Sequence, residues 1–407
     1  MSIAVADPVR ANGHGPARRP LRVCMVHFSD FHTDSRPQRE ARALAERGDE
    51  VDCVCLSPAA TIPMGRGAVH LHPVEASKLR GGARAYVAGY GRFFAGALRR
   101  VTALDREHRF DAVEIHNMPD FLTFTALAPK LRGVPVALNV HDTFPELFET
   151  LFDLSARHPL VRLVRAEERA SARVADALVF VTDEARDLLA SRGVEAARTA
   201  VVMNTPDERL FGPRRTPESV PSTGPARAVY HGGLGQRFGV ATLIEAFGLI
   251  EQRDPGLSLD VYGPDPDEAA EHARMAGPNV RVAPRPTPVE QIPERLERAQ
   301  IGIVPTVRDR FTEGLLPVKL LECVHMGLPV VASRLPVVER YFTDAELLFC
   351  EPGSPESLAA AVLEVRRDPE AARERAERAS ERLAEIEWGR QRETYLGLID
   401  GLVHEAA

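Results

Sequence analysis

The sequence is short of several things. No apolar run approaches the ~18 residues needed to span a bilayer, and the longest are brief pieces such as 177–181. Nor is there an excess of positive charge: 51 Lys plus Arg stand against 58 Asp plus Glu, a formal net of −7. That removes the global basic field that holds nucleic acid, so no nucleic acid is expected as a partner. Cysteine is scarce, with five residues (Cys24, Cys53, Cys55, Cys323, Cys350), and four of them sit in or beside apolar runs. They read as buried thiols; Cys53 and Cys55 share a strand face but lack further ligands at a metal-binding spacing. The segment 1–20 carries Arg10, Arg18 and Arg19 but no apolar stretch before a small-residue cleavage site. It reads as a disordered tail rather than a signal peptide, and the protein is expected to stay in the cytoplasm.

What is present is ordinary globular composition, 44% hydrophobic, in a chain of 407 residues. That length favours two domains over one packed core. Short apolar runs over 21–29, 51–56, 111–115, 135–140, 177–181 and 199–203 alternate with helical spacing over 36–47, 121–131, 161–174 and 183–190, the last capped by Asp183. Strand alternating with helix predicts a parallel sheet covered on both faces, here a first domain over 21–203. Residues 204–225 hold five prolines among polar residues and read as a linker. The alternation then restarts, predicting a second α/β domain over 226–385 and a final helix over 386–407. Two facing Rossmann-like doubly wound domains place ligands in the interdomain cleft, outside the carboxyl ends of the strands.

Two motifs stand at such ends. The run YHGGLGQRFG (230–239) joins a strand to a helix, and Gly232, Gly233 and Gly235 let the backbone approach a bulky anion while Arg237 offers a fork of donors. The same run also fits a tight turn with a solvated arginine. It further allows a dinucleotide reading, with Asp260 about twenty positions on as ribose ligand, although that aspartate falls inside a strand run and the loop is one residue too long. The second run is FTEGLLPVKLLECVHMGLPVVAS (311–333). Pro317 suits the first turn of a helix, which sets Lys319 against the helix dipole unless an anion is bound there; Glu322, one turn on, can accept from the vicinal hydroxyls of a ribose. A simple surface pair of Lys319 and Glu322 is the plain alternative, and the apolar flanks Leu320, Leu321 and Val324 weigh against it. Asp265 and Asp267 follow a Gly-Pro turn and read as a helix cap, not a metal motif.

From about Leu21 onward the chain resembles the retaining glycosyltransferases of the GT-B fold, glycosyltransferase family 4. The resemblance rests on DSRPQREARAL (34–44), IHNMPDF (115–121), NVHDTFPE (139–146) and the two runs above. It implies a nucleotide-sugar donor in the second domain, an acceptor in the first that is a sugar, a lipid-linked molecule or a small molecule, and no cofactor or metal. By position it assigns His141 to contact with the transferred sugar, Arg237 and Lys319 to the donor diphosphate, and Glu322 to the ribose. The first glutamate of the family's paired motif falls on Gly314, with Glu313 beside it and Leu315 and Leu316 following; a lysine common in relatives is Phe238 here. Near the acceptor or its loop stand Arg36, His116, Asn117 and Asp142. Asp142 is read as orienting its loop, Asp120 as a helix cap, and Arg39 as a solvated helix charge. No nucleophile is named.

One stretch lies outside these motifs. Residues 78–104 hold Lys78, Arg80, Arg84, Arg92, Arg99 and Arg100, no acidic residue, and interleaved Tyr86, Tyr90, Phe93 and Phe94. They fit a basic amphipathic helix touching the inner face of an anionic membrane, or a solvated helix face with its aromatics in the core. Two other functions stay open: an NAD-dependent enzyme binding at 232–239, and a non-catalytic partner protein of the same fold.

Overall fold

The computed structural model describes residues 19–76 and 83–406. Most of the expected tail lies outside that range, as do Lys78 and Arg80. Two sheets form. The first has eight strands, β1 (Arg22–His27), β2 (Glu50–Cys55), β3 (Ala60–Met64), β4 (Gly67–Pro73), β5 (Ala112–His116), β6 (Val136–Val140), β7 (Ala177–Phe180) and β8 (Arg198–Val201), in the order β3-β4-β2-β1-β5-β6-β7-β8. The second has six, β9 (Ala226–His231), β10 (Leu257–Tyr262), β11 (Val280–Val282), β12 (Ile301–Val304), β13 (Val330–Ser333) and β14 (Leu348–Cys350), in the order β11-β10-β9-β12-β13-β14. All neighbours pair in parallel except β3, which turns back on β4. β5, β6, β7, β12 and β13 are buried along their whole length, which is why they read as mainly apolar runs, broken only by Glu114, His116, Asn139 and Ser333.

Both sheets reverse order beside their first strand, β1 next to β5 and β9 next to β12, and the crevices at these switch points face each other. The last helix, Trp388–Ala406, packs on the first sheet: Tyr395, Leu398, Ile399 and Leu402 share a core with Val23, Leu44 and Leu71. Contacts also cross the cleft directly. Arg310 donates to Glu149 at 2.8 Å, Thr182 Oγ1 donates to the Gly314 carbonyl at 3.0 Å, and the Tyr341 hydroxyl accepts from the Asp183 amide at 2.9 Å. Thr182 is also the cap of helix Asp183–Ser191, accepting from the Ala185 amide, so the cap is not Asp183.

Other local expectations are corrected too. The stretch 121–131 is a 3-10 turn, Asp120–Ala126, followed by one α turn, Leu127–Lys130. Asp120 does not cap it; buried, it accepts from Asn117 Nδ2 at 2.8 Å, and burial raises its carboxyl to about 7. A helix at Phe144–Phe152, started by Pro145, was not foreseen. In the long helix Ala83–His108, Phe93 is fully buried and Tyr90 and Phe93 both meet Phe28 edge-on, while Arg92, Arg99 and Arg100 point to solvent.

Candidate functional site

Between the sheets lies a cavity of about 340 Å³. Each wall is built from strand ends. The first half contributes His141 and Asp142 after β6, Val181 and Thr182 after β7, Asn204 and Thr205 after β8, and Arg36 and Arg39 from helix Ser35–Glu46. The second contributes His231 and Gly232 at the end of β9, Thr306 after β12, and Leu315, Leu316, Lys319 and Glu322.

On the second wall, helix Val318–His325 starts at Pro317 and presents its first turn to the cavity. Lys319 Nζ donates to the Tyr230 hydroxyl at 2.7 Å and sits 4.5 Å from the ring centres of both Tyr230 and Phe238. Burial lowers this amine to about 7. Glu322 reaches His231 Nε2 at 3.5 Å, and burial raises its carboxyl to about 7. Gly232 has φ +112°, and a Cβ there would stand 3.0 Å from Lys319 Nζ, so only glycine leaves that amine its place. Asp260 is taken: Arg281 holds both its oxygens at 2.9 Å, which leaves no free carboxylate for a ribose on that strand.

The first wall rests on buried polar groups. Asn117 clamps the turn after β6, accepting from the His141 amide at 2.8 Å and donating to the Asp142 carbonyl at 2.7 Å. His141 Nε2 meets His116 Nδ1 at 2.9 Å with the ring planes nearly parallel, while its Nδ1 is buried without a hydrogen-bond partner. Burial, with Arg36 adding, holds His141 well below its usual range, so the ring is neutral. Behind His116 lie Glu40 and Glu114, with Asn139 donating to both at 2.8 and 3.2 Å and the Tyr395 hydroxyl donating to Glu114 at 2.6 Å. Burial pushes both carboxyls upward, so the pair retains a proton. Glu40, Glu114 and His116 place ligand atoms within 4.8 Å of one another, and Asn139 and Tyr395 donate to the two carboxylates there.

The cavity wall thus gathers Arg36, His141, Asp142, Gly232, Leu315, Leu316, Lys319 and Glu322. It does not include Gly233, whose carbonyl accepts from Tyr230, or Glu313, which pairs with Arg308 at 2.7 Å, or Gly314, held by Thr182. His116 and Asn117 stand behind it. Arg237 lies in an adjoining cavity, its guanidinium over the Phe311 ring at 5.2 Å. Arg39 overturns its reading as a solvated charge: it is buried, donates to Asn204 Oδ1 at 3.1 Å and to the Thr205 carbonyl, and lies 4.9 Å over the Trp388 ring. Sequence reasoning gave no role to Tyr230, Phe238, Thr182, Asn204 or Thr205. For all but Phe238, which lies in the turn Gln236–Phe238, their place at or just after strand ends is the signal that finds them.

Asp265 caps helix Pro266–Met275 by accepting from the amides of Asp267 and Glu268. No helix among the described residues is long and apolar enough to cross a membrane, and the five cysteines are buried free thiols.

The chain was compared with known proteins. Residues 34–205 match the family description "Glycosyl transferase 4-like domain" and residues 225–368 match "Glycosyl transferases group 1". The glycogen synthase of Mycobacterium tuberculosis is 28% identical over 320 residues, covering 74% of this chain and 71% of that protein. Sucrose-phosphate synthase from Thermosynechococcus elongatus superposes with a TM-score of 0.74 at 17% identity, over 95% of this chain and all of the other. HepE of Anabaena, solved with UDP, gives 0.66 at 12% identity, over 94% of this chain and 100% of that one. With its two Rossmann-like halves closing on one cleft, the chain belongs to the group 1 glycosyltransferases of the GT-B fold.

Proposed function

We propose that this enzyme moves a sugar from a nucleoside-diphosphate sugar to an acceptor, with retention at the anomeric carbon and without a divalent metal. The observation that carries the reading is the pairing of Lys319 and Glu322 on one helix face in the cleft, opposite His141. The hard step in such a transfer is departure of the diphosphate. Lys319, in the first helical turn beside Gly232, meets the charge as it develops, with Arg237 at the rim of the loop as the second cation. An amine that burial holds near 7 is recharged by the arriving diphosphate. Glu322 accepts from the ribose hydroxyls, and Leu315 and Leu316 form the donor floor. Neutral His141 offers its unpartnered Nδ1 to a sugar hydroxyl. The acceptor, a sugar, a lipid-linked molecule or a small molecule, enters on the side of Arg36 and Asp142, whose side chains pair at 3.8 Å.

The neighbours support the donor class: HepE was also solved with UDP-glucose, and the mycobacterial relative is a glycogen synthase. The product is assigned to cell-surface polysaccharide or glycoconjugate, made in the cytoplasm or at the inner face of the membrane. The test is to incubate the enzyme with UDP-, GDP-, ADP- and dTDP-sugars and a panel of sugar and polyprenyl-phosphate acceptors, measuring released diphosphate and the anomeric configuration by proton NMR. Release with one base and an axial product from an axial donor is expected. Release with none, or an inverted product, overturns the reading.

A further inference from the structure

One face of the first sheet carries a column of buried polar side chains that ends at the cleft. Glu114 and His116 alternate along β5, and His116 is in register with Asn139 of β6, so the three share that face. Helix Ser35–Glu46 adds Glu40 and the last helix adds Tyr395. All five are buried, where an unpaired polar atom is costly. Two nitrogens are nevertheless left over: His116 Nε2 and His141 Nδ1 are buried without a hydrogen-bond partner.

The rings are joined by one bond, His116 Nδ1 to His141 Nε2 at 2.9 Å, and burial keeps both neutral, His116 at about 3 and His141 well below its usual range. Two neutral imidazoles sharing one such bond have only two arrangements. In the first, His141 donates from Nε2, His116 carries its own hydrogen on Nε2, and His141 Nδ1 is a bare acceptor. In the second, His116 donates from Nδ1, its Nε2 is bare, and His141 Nδ1 carries the hydrogen. What His116 Nε2 faces decides between them. Glu114 Oε1 lies 3.9 Å away, too far for a hydrogen bond but near enough for a negative oxygen to favour a hydrogen over a lone pair. Glu114 is the charged member of the carboxyl pair, since it accepts from both Tyr395 and Asn139, whereas Glu40 accepts from Asn139 and keeps the proton. The first arrangement is therefore the stable one. With Nε2 spent on His116, Nδ1 is the ring nitrogen that His141 has left for the cavity it lines.

We propose that Glu114 and His116 are positioning residues that fix the tautomer of His141, so that it presents a bare Nδ1 to the cleft as a hydrogen-bond acceptor. The transferred sugar must then donate a hydroxyl hydrogen to His141, and a sugar lacking that hydroxyl, or carrying fluorine in its place, is discriminated against. The tautomer stands on the first wall alone; the sugar preference rests on the donor site proposed above.

The test is magnetic resonance of the full chain, labelled with nitrogen-15 in its histidine rings and free of nucleotide, for wild type, Glu114→Gln and His141→Gln, the last to assign the His141 signals. Wild type is expected to show His141 with hydrogen on Nε2 and none on Nδ1. Glu114→Gln should reverse this: Tyr395 holds the amide oxygen on its own side, which turns the amide nitrogen toward His116 Nε2 and makes His116 the donor to His141. Hydrogen on His141 Nδ1 in the wild type overturns the proposal, whatever the variant does. An unchanged tautomer in Glu114→Gln overturns the role of Glu114. Turnover with the nucleotide sugar that reacts fastest in the panel above then tests the sugar preference: kcat should fall about tenfold in Glu114→Gln while nucleoside-diphosphate affinity stays unchanged. Reversal of the tautomer without loss of kcat overturns the sugar preference. Release from no sugar in the panel overturns the donor reading instead, with the tautomer still read from the spectrum.

Discussion

The two walls of the cleft are made in opposite ways. On the second, the chemistry sits on one short helix and one loop, and Lys319 and Glu322 have each other as opposite charge while their hydrogen-bonding neighbours are neutral: Lys319 bonds a tyrosine, and Glu322 approaches a histidine that burial holds at about 3. On the first, the cavity face is held by polar groups bonded to one another deep inside, through Asn117, His116, Glu40, Glu114, Asn139 and Tyr395. One wall is poised for a ligand at the expense of its own stability, and the other is rigid before the ligand arrives. That division matches what transfer requires, a strained cation for the departing charge and a fixed surface to orient the sugar.

The largest effect should separate the walls by function. Lys319→Ala lowers turnover by about 10²–10³-fold, the loss expected when one preorganised donor to a developing charge is removed. Steady-state release of nucleoside diphosphate measures it. Folding should not suffer, because the amine is depressed by burial. A fall in thermal stability of this variant would break the comparison.

Next in size, Asn117→Ala damages the first wall structurally. It strips the partner from the buried His141 amide and from the Asp142 carbonyl, each worth about 1–3 kcal/mol when left unsatisfied. Urea titration should show a drop of about 2–4 kcal/mol. Smaller again is Tyr395→Phe, which removes only the hydroxyl donated to Glu114 from the last helix. A loss of about 1–2 kcal/mol is expected, with nucleotide affinity unchanged. Weakened nucleotide binding in that variant would show that the walls are not separable.

The smallest effect is a pH signature of the second wall. Glu322 is raised from 4.5 to about 7, so the folded chain holds a proton that the unfolded chain releases between those values, and stability from this group falls as pH rises through them. Lys319 is lowered from 10.5 to about 7, so above 7 the unfolded chain holds the extra proton and stability from this group rises with pH. Together they put a minimum near pH 7. Melting temperature against pH, compared between wild type and Lys319→Met/Glu322→Gln, should show its widest gap there; a gap flat from pH 5 to 9 contradicts the assignment.

The two walls also differed in how far they could be read from sequence. Parallel strands buried on both faces leave short, mainly apolar runs, so the alternation of strand and helix, and from it the fold, was plain. The second wall was readable because Lys319, Glu322 and the glycine loop are local, each within one strand-to-helix junction. The first wall was readable only at Arg36, His141 and Asp142, through the resemblance, and not in what holds them, because its bonds join distant positions: Arg39 to Thr205 across 166 residues, Tyr395 to Glu114 across 281. No periodicity marks such a pair. Arg39 looked solvated because helical spacing shows which side of a helix is polar and says nothing of what covers that side. The helix Phe144–Phe152 was missed because nine residues beginning at a proline give too few turns to distinguish helix from loop. The hairpin β3–β4 was missed because ATIPM mixes exposed and half-buried positions without a clean alternation.

The central claim is that the cleft holds a nucleoside diphosphate through Lys319 and Glu322. The most direct measurement is titration calorimetry of UDP, GDP, ADP and dTDP into the wild type, Lys319→Ala and Glu322→Ala at pH 8. The account predicts saturable binding of one of them, loss of about tenfold or more in affinity for each variant, and uptake of protons in the wild type as Lys319 recharges, absent in Lys319→Ala. Binding of equal strength in all three proteins, or of none of the four nucleotides, would contradict it.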